Sequence, residues 1–244
     1  MKLSVVIPMY NESSIVEDAI RTLDAAMAQA LPAGEYELLF VSDGSTDGCA
    51  DLARALSSEY PSLRVLEYMP NQGKGCAVRT GMLAATGEFV LFTDCDLAYG
   101  TDLILTFLQR YEQGGCDVII GSRPMGGYDG YPFLRKLMSK TYLKVISISA
   151  GFRLSDSQAG IKGFSQKASK AIFGECEENG FAFDLEALME AERQGFAVAE
   201  LPAVIVNHRE SKVSPIRDAV RMLKQVRKIK KRQKAKRKNA KKSA

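Results

Sequence analysis

Three short apolar runs near the start of the chain each end in an acidic turn, and this pattern constrains the fold more than any other feature. Leu3-Ser4-Val5-Val6-Ile7-Pro8 leads into Met9-Tyr10-Asn11-Glu12. Tyr36-Glu37-Leu38-Leu39-Phe40-Val41 leads into Ser42-Asp43-Gly44-Ser45-Thr46-Asp47, and Glu88-Phe89-Val90-Leu91-Phe92 into Thr93-Asp94-Cys95-Asp96. Rich in β-branched and aromatic residues, these runs read as buried strands. Helical patterns separate them, the first starting near Ser13 or Ser14 with Glu17 and Asp18 in its first turn. Strands alternating with helices predict an α/β domain with a mostly parallel sheet. The acids then sit at the carboxyl ends of the strands, where open α/β sheets bind ligands.

Asp94 and Asp96, spaced i, i+2 on a turn, offer oxygen ligands suited to Mg²⁺ or Mn²⁺. No G-x-G-x-x-G follows any of the strands, which argues against a dinucleotide site, and Gly73-Lys74-Gly75 lacks P-loop spacing. Further along, Leu63–Leu66 and Asp117–Gly121 read as strands, and Lys74–Ala85, Asp102–Glu112 and Leu185–Arg193 as helices. Pro124–Tyr131 reads as a mobile glycine-rich loop and Phe133–Ser149 as a helix with an apolar side.

In this order, SVVIPMYNES, VSDGSTDG, NQGKGCAVRTG and TDCD resemble the nucleotide-sugar half of family 2 inverting glycosyltransferases of the GT-A fold. GSR at Gly121–Arg123, Arg135 with Ser139, DSQAGIKGF at Asp156–Phe164, FAFDLEAL at Phe181–Leu188 and HRESKV at His208–Val213 resemble the polyprenyl-phosphate branch. That branch includes dolichyl-phosphate mannose synthase and dolichyl-phosphate glucosyltransferase. The resemblance covers roughly residues 3 to 230.

This resemblance implies a metal-dependent hexosyltransferase using Mg²⁺ or Mn²⁺. It places Pro8, Tyr10, Glu12, Asp43 and Lys74 on the donor, with Glu12 toward the ribose and Asp43 toward the base. Asp96 would hold the metal and Asp94 the metal or sugar, with Asp156 and Gln158 near the donor sugar. Arg123, Arg135 and Ser139 would grip the acceptor phosphate, a task suited to arginine's paired N–H groups, joined by Arg209, Ser211 and Lys212. Asp184 would act as general base toward a hydroxyl, or orient the sugar if the acceptor is an already ionised phosphate. Helix capping is the competing role for Glu12, Asp43 and Asp184. The Asp-x-Gln pattern is closer to the glucosyltransferases, so UDP-glucose is the expected donor, with GDP-mannose or a polysaccharide hydroxyl acceptor as enzyme alternatives. A non-catalytic nucleotide-sugar-binding module at a membrane surface is the alternative outside catalysis.

Charge divides the chain unevenly. From Arg217 to Ala244 there are 14 Lys or Arg and one acid, a net +13 against +4 for the whole, so the remainder carries −9. A nucleic-acid enzyme would usually surround its site with the basic patch, so nucleic acid is not an expected partner. Ile216, Val220, Leu223 and Val226 recur at helical spacing. The expected organisation is a GT-A domain over 1–212, an amphipathic helix over 213–230 and a disordered basic tail over 231–244. Five scattered cysteines without a C-x-x-C pair suit reduced thiols in a cytoplasmic setting. With no apolar run long enough to span a bilayer and no signal peptide, the expectation is peripheral attachment to the cytoplasmic membrane face through the basic tail. A separate membrane protein is a possible further partner.

Overall fold

A computed structural model describes residues 1–126, 154–207 and 215–240. Its sheet is built from β1 (Leu3–Met9), β2 (Tyr36–Asp43), β3 (Leu63–Tyr68), β4 (Phe89–Phe92), β5 (Val118–Ser122), β6 (Lys162–Ser165) and β7 (Val198–Pro202). The helices are α1 (Val16–Ala30), α2 (Cys49–Ala55), α3 (Lys74–Ala84), α4 (Asp102–Glu112), the short α5 (Arg123–Gly126), α6 (Gln166–Phe173), α7 (Phe183–Gln194) and α8 (Pro215–Ala240). Strand order is β3-β2-β1-β4-β6-β5-β7, parallel except for β6, which runs antiparallel to both β4 and β5.

Both sheet faces are covered, which is why the strands read as continuous apolar runs rather than alternating ones. Val6, Leu39, Val41, Phe92 and Phe164 face one way, into a core shared with α3, α6, α7 and α8. Their neighbours Val5, Ile7, Leu38, Phe40 and Leu91 face the other, against α1, α2 and α4. The period of two along each strand sorts adjacent residues into the two layers.

The register opens the cleft. β4 pairs with β1 only as far as Val6↔Phe92, whereas β1 and β2 stay paired to Met9↔Ser42. Val6 O still accepts from Thr93 N at 3.1 Å, so the backbone of Pro8, two residues on, faces the space β4 has left. A proline, with no N–H to donate, therefore fits inside a central strand at that position.

Two local expectations differ from the structure. Neither Ser13 nor Ser14 caps α1, whose N-cap position is Ile15 with no side-chain hydrogen bond. Ser13 N instead donates to Asp47 at 2.8 Å, tying the first acidic turn to the second. The tail also differs, because α8 continues to Ala240 and residues 231–240 are helical rather than disordered. Cations beyond Ile229 find acids on the body: Arg232 meets Glu186 at 2.9 Å, and Lys236 meets Glu177 and Glu175 at 3.0 and 3.1 Å. Burying Val226 and Ile229 contributes about 1.5–3 kcal/mol each. Partly exposed ion pairs contribute about 0–1 kcal/mol. The apolar stripe thus seats the helix, and the acids extend it.

Candidate active site

Three turns at the carboxyl ends of β1, β2 and β4 form one rim. Asn11, in the left-handed region at φ 55°, accepts from Thr46 N at 2.9 Å and donates its own N–H to Ser45 Oγ at 3.2 Å. Asparagine tolerates that conformation better than most residues. This lacing holds Glu12 half-buried at the rim, with Tyr10 exposed beside it and Pro8 buried behind.

Asp43 is 3% exposed, and both its oxygens accept from within the protein. The donors are Tyr68 OH at 2.7 Å, Asn71 Nδ2 at 2.9 Å, Gln72 N at 2.8 Å and Gly73 N at 2.9 Å. A carboxylate has about four lone-pair sites, and these contacts fill them. Here Asp43 caps no helix; it holds the Asn71–Gly73 turn against the end of β2. Gly73 lies at φ 105°, and a β-carbon added there would run into Asn179 O, so a side chain would be both strained and blocked.

That turn delivers Lys74, whose ammonium pairs with Asp94. Burial works to lower the Lys74 pKa, but Asp94, Asp184 and Asp96 together raise it above the ordinary lysine value. Asp94 and Asp96 are half-buried, with Cys95 buried between them. Burial, joined by the charges of Glu12, Asp96 and Asp94, pushes the Cys95 thiol up. Asp96 Oδ1 accepts from Ala98 N at 3.1 Å. The next residue, Leu97, is buried at φ 47°, and Asn207 Nδ2 and Val206 N pin this turn through Leu97 O at 2.9 Å and Ala98 O at 2.8 Å.

The opposite wall comes from the segment before β6 and from the start of α7. Arg123 grips the fully buried Asp156 through Nε at 2.6 Å and Nη2 at 3.0 Å. Burial pushes the Asp156 carboxyl up, but the Arg123 guanidinium holds it below the usual aspartate range. Gln158 N also donates to Asp156, at 2.9 Å. The two residues expected on acceptor phosphate and donor sugar respectively are thus partners of each other. Gly160 lies directly against the Asp94 carboxylate.

Asp184 does not cap α7, whose N-cap position is Ala182 with no side-chain bond. It is 7% exposed and accepts from Lys162 Nζ at 2.8 Å. Burial raises its pKa, which Lys162 and Lys74 oppose and Asp94 reinforces. Reading the sequence alone misses Lys162 and Tyr99. Lys162 is the more detectable, as a lysine inside the short apolar stretch Ile161–Phe164. Tyr99 is buried, which pushes its phenol up to about 12, and it lies in the field of Arg123, Asp156 and Asp94. Arg135, Ser139, Arg209, Ser211 and Lys212 lie outside the described residues.

Among the described residues no three His, Cys, Asp or Glu side chains gather as a complete metal cage. Two carboxylates on one turn nevertheless fit a hard divalent cation. Mg²⁺ commonly takes one or two protein carboxylates and completes its shell with substrate phosphates and water.

Comparison with known proteins agrees with this architecture. The model of glycosyl transferase family 2 matches residues 4–173. Glycosyltransferase AglD of Haloferax volcanii is 30% identical over 227 residues, 93% of this chain but only 36% of that protein. A dolichyl-phosphate beta-glucosyltransferase of Drosophila melanogaster is 31% identical over 229 residues, 88% of this chain and 70% of its own. Among solved structures, glucosyl-3-phosphoglycerate synthase from Mycobacterium tuberculosis, crystallised with Mn²⁺, UDP and phosphoglyceric acid, superposes with a TM-score of 0.66. At 21% identity, covering 93% of this chain and 76% of that one, it shows the shared GT-A fold. The chain belongs to glycosyl transferase family 2.

Proposed function

We propose that this protein transfers a hexose with inversion from a nucleoside diphosphate sugar, UDP-glucose first, to a polyprenyl phosphate. The observation that carries the proposal is the ion pair between Lys74, at the start of α3, and Asp94, just beyond β4, with Asp96 and Asp184 also acting on the Lys74 ammonium. Similarity to dolichyl-phosphate beta-glucosyltransferases supports the lipid phosphate and the sugar.

An acceptor phosphate oxygen attacks C1 of the sugar from the face opposite the diphosphate. The C1–O bond breaks, its electron pair leaves with the nucleoside diphosphate, and the new linkage is β. A bound Mg²⁺ or Mn²⁺, held by Asp96 and Asp94, would offset the charge that builds on the diphosphate. Lys74 supplies a fixed positive charge beside Asp94. Glu12 and the Asn71–Gly73 turn positioned by Asp43 frame the nucleoside, between Pro8 and Tyr10. Asp156 and Gln158 shape the sugar end.

Because a phosphate monoester has a second pKa of about 6, it attacks already ionised and needs no base. Asp184, locked to Lys162, then orients groups instead of taking a proton. Arg123, with Arg135, Ser139, Arg209, Ser211 and Lys212, completes the acceptor half of the proposal. The enzyme would act peripherally at the cytoplasmic membrane face; its five cysteines are all free thiols, and no helix among the described residues is long and apolar enough to cross a membrane.

Calorimetric titration with UDP, GDP, UDP-glucose and GDP-mannose, with and without Mn²⁺, tests the donor half. Metal-dependent binding of the uridine pair supports the proposal. Binding of the guanosine pair alone would replace glucose with mannose.

A further inference from the structure

Helix α8 has two charged faces in different environments. Val226 and Ile229 are 2% and 0% exposed, Gln233 donates to Glu190 at 3.2 Å, and Lys236 meets Glu175 and Glu177. With Arg232 against Glu186, these residues form one stripe, at i, i+3, i+7 and i+10, pressed onto the body. Lys224, Arg227, Lys228, Lys231 and Lys234 recur with similar spacing on the opposite side, and all five are exposed. None of the five forms a salt bridge among the described residues, and the chain has no Asp or Glu after Asp218.

We propose that this outward face is a docking surface for an anionic lipid membrane, bound by charge alone while the helix stays seated on the protein. Membrane-surface helices ordinarily hold by burying their apolar face among the acyl chains. Here that face is already occupied by the protein core, so insertion would require undocking Val226 and Ile229. Five cations across the eleven residues from Lys224 to Lys234 make a strip of about 15 Å. Away from the tail the protein carries net negative charge, which an anionic surface repels, so the strip also sets which side approaches the bilayer. The contact lies close to the chemistry, because Glu186, the partner of Arg232, is two residues from Asp184 on α7. Choosing a bilayer as the occupant rests on the polyprenyl-phosphate proposal for the active site.

The test is co-sedimentation of the full chain with phosphatidylcholine vesicles, with and without about one third phosphatidylglycerol. Each basic residue near an anionic surface is worth roughly fivefold in partitioning. The expected result is binding only to the anionic vesicles, lost when salt rises from about 0.1 to 0.5 M. Replacing Lys224, Arg227, Lys228, Lys231 and Lys234 together by Gln should weaken binding by about a hundredfold or more. Circular dichroism and transfer to a short-chain, water-soluble polyprenyl phosphate should be unchanged in that variant. Equal binding to neutral vesicles, salt-resistant binding, or undiminished binding by the variant would each overturn the proposal. So would tighter binding to duplex DNA than to the vesicles. Vesicle binding without lipid-phosphate transfer would reject the active-site proposal alone; transfer without vesicle binding would reject the docking surface alone.

Discussion

Lys162 donates to Asp184 at 2.8 Å from inside a strand where the lysine has no solvent exposure. Its second hydrogen bond goes to Ala159 O at 2.7 Å, and its ammonium lies 5.5 Å from the centre of the Phe92 ring. One side chain therefore joins β6, the start of α7, the Asp156–Gly160 segment and the strand that carries Asp94. Burying a cation there is costly unless every donor is matched, and the shape of the cleft depends on the match.

Replacing Lys162 by Met leaves Asp184 buried without its partner. Breaking a buried pair this way costs about 3–5 kcal/mol, which urea unfolding should register as a lower midpoint. Asp184→Asn in the same chain should recover part of the loss, since the remaining group is neutral. A change below about 1 kcal/mol for the single variant would show that the pair contributes nothing.

Two acids make stability depend on pH in one direction. Asp156 is held below its ordinary value of 3.8, burial opposing and Arg123 outweighing it. Asp47, which accepts from Ser13 N and Cys49 N, is lowered from 3.8 to about 2. Since both folded values are depressed, their contributions are complete above pH 3.8 and are lost as pH falls through the folded values. Melting temperatures of the parent and of Asp156→Asn should converge on acidification. A difference that stays constant down to about pH 2 would mean that Asp156 does not titrate as the structure requires.

Gly160 should be intolerant for a reason local to the site. A β-carbon there meets the Asp94 carboxylate, the movable end of a half-buried side chain, so the fold can give way where the chemistry cannot. Gly160→Ala is expected to keep its melting temperature while kcat falls about 10–100-fold, the scale of a 1 Å misplacement. Normal turnover in this variant would show that the position of Asp94 is not critical.

The strands were legible where residues alone decide them. Tyr36–Asp43, Phe89–Phe92 and Val118–Ser122 lie within a residue or two of their sequence expectations, and α4 matches them, because apolar runs bounded by turn residues need little tertiary help. The antiparallel β6 is not legible as a strand: Lys162-Gly163-Phe164-Ser165 has neither the pattern nor the propensity, and its neighbours β4 and β5 impose the conformation. Asp94 and Asp96 could be placed from strand and turn alone. The Arg123–Asp156 pair could not, because its partners are 33 residues apart and no local rule connects them. The tail misled for a similar reason, since a basic run looks unstructured until Glu175, Glu177 and Glu186 are brought alongside it.

The most direct measurement is transfer of labelled glucose from UDP-glucose to a short-chain polyprenyl phosphate with Mn²⁺ or Mg²⁺, by the parent protein and by Asp96→Ala. A polyprenyl-phosphate glucosyltransferase should yield a β-linked lipid product in the parent. In the variant, turnover should fall by about a hundredfold or more while the fold is retained. Turnover of the donor only when a sugar hydroxyl is offered, with no lipid product, would contradict the assigned acceptor and return Asp184 to the role of general base.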